Sequence, residues 1–184
     1  MMSGTRHTAQ AKRMDLAFAS LLSKDDEEVL AAITRIGQEG DARAIRPLLV
    51  TLATNPSTSV QQRICTLLYE VKAPQADAAL LAALEDAEFK GIRNIVLSTF
   101  WNAGIDVRDH LNVFVDIALA GSAAECFECL TVIENQEIWP EKDTRSALKR
   151  VEKAIPSESD PYKASMLADL VSVLQYRLGI NATD

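Results

Sequence analysis

The sequence predicts an all-α fold, a right-handed α-α superhelix of about four to five antiparallel helix pairs closed by capping helices. Three observations carry this expectation. The stretch DEEVLAAITRIGQEGDARAIRPLLVTL is followed by STSVQQRICTLLYEVKAPQADAALLAAL, so that Val29, Ile33 and Ile36 correspond to Val60, Ile64 and Leu67, 31 residues on. Leu48, Leu49 and Leu52 correspond to Leu80, Leu81 and Leu84 at a spacing of 32, which places one extra residue in the turn between the helices. Throughout, apolar residues recur three and four apart, and glycines and prolines gather where those runs stop. One helix pair cannot bury its own apolar stripe, so a fixed period of this length implies stacking of neighbours into a continuous core.

Composition agrees and limits the function. The 184 residues fit one domain, 1–184, long enough to bury roughly 70% of its unfolded surface. Aromatics are 5%, and Ala, Leu, Ile and Val supply most of the apolar residues; such side chains let helices approach to about 8–10 Å. A net charge of −7 without any Lys/Arg run argues against nucleic acid as the partner, because that affinity comes from cations neutralising phosphates. No apolar run is long enough to cross a membrane, and no membrane partner is expected. Three cysteines with no framework spacing suggest a reduced, cytoplasmic protein.

Taken in order, residues 1–7 are expected to lack structure. Residues 8–22 form an N-terminal cap helix with Met14, Ala17, Phe18, Leu21 and Leu22 as its stripe. It is read as a cap and not as a signal peptide, because Asp15 interrupts its apolar stretch. The first repeat, 26–54, starts with carboxylates where the helix dipole favours them. Its first helix ends at Ile36, with a glycine of Gly37–Gly40 free to take the left-handed cap conformation. Asp41 opens the second helix, which Pro47 should delay to about Ala44 or kink. The second repeat, 57–84, contains helices 58–71 and 75–84 divided by Lys72, Ala73 and Pro74. The third, 86–120, has a first helix carrying Ile92, Ile95, Val96 and Phe100, a stop at Ala103-Gly104, and a second helix over 107–119. The fourth, 122–155, opens with Ser122 and Glu125 at capping-box spacing, loses register across Glu137–Pro140, and resumes as a helix striped by Ala147, Leu148, Val151 and Ile155. A break at 156–161 precedes a C-terminal cap helix, 161–178, with Met166, Leu167, Leu170, Val171 and Leu174, and a frayed tail. In this register Ile64→Ala or Val96→Ala should cost roughly 1–4 kcal/mol in urea melts.

The segment Glu28–Leu52, with Gly37, Gly40-Asp41, Ala44-Ile45 and Pro47-Leu48-Leu49, resembles the HEAT-like, armadillo-like repeats of bacteria, including the short variety first described in phycobilisome lyases. Glu85-Asp86-Ala87-Glu88 followed by Ile92-Arg93 fits the entry to a further repeat. The resemblance covers 26–119 well and 122–155 loosely; the second repeat departs from it, with Tyr69-Glu70 and Pro74-Gln75 in place of glycine turns. It implies an α solenoid whose second helices line a concave face. On that basis Arg43, Arg46, Gln75, Asp77, Arg108, Asp109, Asn112 and Asp116 point into a mixed-charge groove. The expected function is then a non-enzymatic scaffold or adaptor binding a peptide or protein, with no cofactor. Reversing the charges of Arg46 and Asp109 should abolish partner capture and leave the fold untouched. The alternative is a lyase-like accessory component handling a small ligand such as a bilin, which needs a reactive thiol or acid in an apolar groove. A DNA-repair glycosylase of HEAT-like kind would need a basic concave face, which the charge balance disfavours.

The remaining chemistry-bearing residues read as structural. Cys126 and Cys129 form a CxxC on one helix face, but zinc wants four ligands and no second pair exists, so two small side chains packed between helices are expected. His7 lies in the terminus and His110 on the second helix of the third repeat, as a paired surface histidine. The acidic region 122–143, with Glu125, Glu128, Glu134, Glu137, Glu141 and Asp143, reads as a solvated face. Phe100 and Trp101 cannot share one helix face; core packing is expected for Trp101 and for Trp139. No nucleophile–base pair or phosphate loop is visible, and the protein is not expected to be an enzyme.

Overall fold

The computed structural model describes the backbone of residues 3–179 and the side chains of residues 10–179. Among the described residues there are ten α-helices, three short 3-10 segments and no strand. The chain divides into two compact units, Met1–Thr99 and Phe100–Asp184.

The first unit opens with α1 (Ser3–Ser20), longer at its start than the periodicity suggests. Met14, Ala17 and Leu21 are buried, whereas Leu22 is 73% exposed. Helix α1 packs on α2 (Asp26–Glu39), which Asp25 caps by accepting from the Glu27 amide. The expected stop at Gly37 is not seen: α2 runs through it, and a Cβ there would stand 3.1 Å from Leu67 Cδ1 of α4. Nor is the cap left-handed, since Gly40 is extended with φ −74°. A 3-10 turn, Ala42–Ala44, then leads into α3 (Ile45–Thr54). Pro47 thus occupies the first turn of α3, where its missing amide hydrogen would have had no helical partner. Helices α4 (Thr58–Tyr69) and α5 (Ala76–Glu85) follow, separated by Gln75 in the left-handed region at φ 65°. Within this unit α2 packs on α4, and α3 on α4 and α5. Of the repeat-matched positions, Val29, Ile33, Leu49, Val60, Ile64 and Leu80 are fully buried, whereas Leu67 and Leu81 are only half-buried and Leu68 takes the buried place beside Leu67.

Asp86 caps a longer 3-10 segment, Ala87–Ile92, and α6 (Arg93–Ala103) begins in the first unit and ends in the second. Its end has the glycine cap that α2 lacks. Gly104 sits at φ +64°, its amide donates to Trp101 O and the Ile105 amide to Phe100 O, the paired bonds of a Schellman motif.

In the second unit, α7 (Leu111–Ala120) starts four residues later than the expected 107. Residues 107–110 form a turn closed by the His110 amide on Val107 O, so His110 is the residue before the helix and not part of it. Helix α8 (Ala123–Asn135) opens with both halves of the Ser122–Glu125 capping box. Helices α9 (Glu141–Ala154) and α10 (Pro161–Arg177) complete the unit; α7 packs on α8 and α9, and α10 on α8 and α9. Phe100 meets Phe114 edge-to-face at 5.2 Å, within a core that includes Ile133, Val151, Leu170 and Leu174. Ile155 lies in a 3-10 turn after α9 and, like Met166 and Val171, is only half-buried. The expectations for residues 1 and 2, for the His7 side chain and for the tail beyond Gly179 lie outside the described residues.

Candidate functional site

The eight residues expected to line a groove fall four into each unit. In the first, Arg43 turns back on its own cap. Its guanidinium donates to both oxygens of Asp41, at 2.8–3.1 Å, and that hydrogen-bonded pairing holds the Asp41 carboxyl below the usual carboxylate range. Arg46 reaches from α3 to Asp86 at 2.6 Å and Glu88 at 2.7 Å, and lies 5.1 Å over the Phe89 ring. Reversing its charge would set three carboxylates against one another, so the Arg46/Asp109 double reversal would disturb the fold along with any partner. Gln75 and Asp77 stand at the entry to α5, the first strained by its positive φ, the second in the first turn.

In the second unit Arg108 and Asp109 lie in the turn ahead of α7 and not on a helical face. Arg108 is held by Asp106, whose carboxyl its hydrogen bonds lower. Asn112 and Asp116, one turn apart on α7, both accept from Arg150 of α9. Arg150 was not foreseen, because a basic residue on a charged helix carries no signal of its partner. Lys163 was also missed, although it was legible: positions 163, 167, 170 and 174 form one helical stripe, and all four are buried.

The other chemistry-bearing residues take structural places. Cys126 and Cys129 are fully buried; burial pushes the Cys126 thiol up to about 11, which keeps it protonated and unreactive near neutral pH. Cys65 is half-buried and raised by the same cause. Among the acids, Glu125 completes a cap, Glu128 accepts from Trp101 Nε1 at 2.8 Å, and Glu141 pairs with Arg145 one turn on. Trp139 is buried, its indole donating to Ile133 O at 3.2 Å, whereas Trp101 is only half-buried. Among the described residues no three His, Cys, Asp or Glu side chains are placed to hold a metal ion, and no helix is long and apolar enough to cross a membrane.

Two surface features have the shape of binding sites. The first unit has an open apolar groove of about 380 Å³ lined by Phe18, Leu21, Leu22, Arg46, Pro47 and Val50. It shares Leu21 and Leu22 with a more polar hollow of about 590 Å³ that runs past Ser23, Thr54 and Asn55. The second unit has a cleft of about 320 Å³ where the ends of α6 and α8 meet the 105–108 turn. Compared with protein-family models and with curated proteins, the chain matches none.

Proposed function

We propose that this chain is a helical-repeat interaction module of HEAT-like kind, a cytoplasmic scaffold or adaptor that binds a peptide or protein on the face formed by its second helices. The packing order supports the repeat reading. Helix α2 lies on α4 and α3 on α5 in the first unit, while α7 lies on α9 and α8 on α10 in the second. First helices on first helices and second on second is the order that a stack of helix pairs requires.

The observation that carries the binding reading is the apolar groove beside α3. Phe18 of α1 and Leu22 of the turn that follows it line the groove with Pro47, Val50 and Arg46 of α3. Leu22 leaves 73% of its surface in water, and contiguous apolar surface rimmed by polar residues marks an interaction site better than scattered exposed side chains do. The adjoining hollow, of mixed polarity, lengthens the groove, giving an extended segment apolar contact at one end and added hydrogen-bond partners at the other. Of the residues that the resemblance assigns to the binding face, Arg46 borders this groove.

Selection of displayed peptides on the immobilised protein tests this, followed by titration of an enriched peptide against wild type and a Leu22→Glu/Val50→Glu variant. The variant should retain the wild-type far-UV spectrum and bind at least about tenfold more weakly. Failure to enrich any sequence, or affinity indifferent to both glutamates, would overturn the assignment.

A further inference from the structure

The cleft of the second unit has the chemistry of a different site. Its apolar surface comes from Trp101 and Ile105, both half-buried, and from Ile138, which is 64% exposed. Its walls are fixed before any ligand arrives. The Trp101 indole is oriented by its bond to Glu128, and Gln136 braces the turn by accepting from the Val107 amide at 3.1 Å and donating to Asp106 at 3.3 Å. Two helices, α6 and α8, end here; amides cap the last turn of α6 and Arg177 donates to Glu134 O in α8, so the helix dipoles add only a weak negative contribution. Side-chain charge has the same sign. Arg108 is neutralised by Asp106 in a tight pair, and Glu137, which lines the cleft, is exposed and forms no ion pair among the described residues. The cleft is thus an aromatic and aliphatic slot in a negative field.

We infer that this cleft binds a basic peptide segment, seating an apolar side chain against Ile138 and an Arg or Lys over the face of Trp101 within reach of Glu137. A cation over an indole is favoured by the ring's own charge distribution, and burial of the adjacent aliphatic residue supplies the non-polar part of the affinity. At about 320 Å³ the cleft is at the small end of ligand sites and takes one or two side chains, not a folded domain. The site is independent of the α3 groove, and the two stand or fall by different variants.

The probes are a fluorescein-labelled peptide alternating Arg and Leu, the same peptide with Glu for Arg, and a third with Ala for Leu, titrated against the full chain by anisotropy. The Arg–Leu peptide should bind and quench indole emission, and the Glu version should bind at least about tenfold more weakly. Ile138→Ser and Glu137→Lys, both at exposed positions, should each weaken it about fivefold or more with an unchanged far-UV spectrum, whereas Leu22→Glu/Val50→Glu should leave it unaltered. Equal binding of the Glu peptide, or affinity that Ile138→Ser and the Ala peptide do not change, would overturn the proposal, the latter showing general surface attraction only. No binding at about 1 mM peptide, or a cleft covered by a second copy and seen as self-association that Ile138→Ser abolishes, would overturn it as well.

Discussion

A lysine withdrawn from water needs acceptors for its ammonium, and Lys163 has three. Its Nζ donates to Leu119 O and Gly121 O, each at 2.8 Å, and pairs with Glu158 at 3.1 Å, while the residue is only 7% exposed. The two carbonyls belong to the end of α7, where unsatisfied oxygens and the helix dipole both favour a cation. The aliphatic stem meanwhile continues the stripe of Leu167, Leu170 and Leu174, so one side chain serves packing at its base and polar satisfaction at its tip. Lys163→Ala removes both and should cost about 2–4 kcal/mol in urea melts. Lys163→Met keeps the stem and should recover part of that loss. A change below about half a kcal/mol for the alanine variant would mean that solvent already serves those carbonyls. Arg46 has the same kind of role in a more exposed place, bridging α3 to Asp86 and Glu88. Its pairing was invisible in the sequence, since 40 residues separate it from Asp86 and neither position belongs to an apolar pattern.

At the scale of the element, local chemistry was legible wherever the residues that decide an end are adjacent to it. The Ser122–Glu125 box and the Gly104 cap form as their spacing says, because each needs only a turn of chain. Helix α7 shows the limit. Apolar periodicity begins at Val107, yet Val107 is buried from a turn and not from a helix, its amide donating to Gln136 29 residues away. Burial and periodicity agree there while the backbone differs, and that moved Arg108 and Asp109 off the expected face. The glycines at the end of α2 show a second limit. Gly37 lies inside α2, where a Cβ would stand 3.1 Å from the movable Leu67 Cδ1, and Gly40 is required because a Cβ would overlap the Ile36 carbonyl oxygen, so neither serves the left-handed cap that glycine usually signals. Gly40→Ala should therefore destabilise the protein by about 1–3 kcal/mol in spite of an ordinary φ. Gly91→Ala, where a Cβ meets nothing within 4 Å, should stay within about half a kcal/mol. Equal effects in thermal melts would contradict the contact account.

For the molecule as a whole, charge sets the response to acid. The chain carries a net charge of −7, so lowering the pH from neutral first relieves repulsion among its carboxylates. Four carboxyls respond later. Hydrogen bonds from Arg43, Arg46 and Arg108 lower Asp41, Asp86 and Asp106, and the Asp160 amide, with Lys163 second, lowers Glu158. Each is ionised more readily in the folded state than in the unfolded one, where carboxyls titrate near about 4. Their stabilising contribution is fully present above that unfolded value and is lost as the pH falls through the lower folded values. The melting temperature should therefore hold or rise from about pH 7 to about pH 5 and drop only below about pH 4. Asp86→Asn and Glu158→Gln each remove one of the groups responsible, so each should start from a lower neutral plateau and descend less steeply in acid. A melting temperature that already falls between about pH 7 and 5 would place the sensitive groups elsewhere. An acid limb unchanged in both variants would show that these pairs form equally in the unfolded chain, leaving the buried stripes of the two units as the source of stability across the whole range.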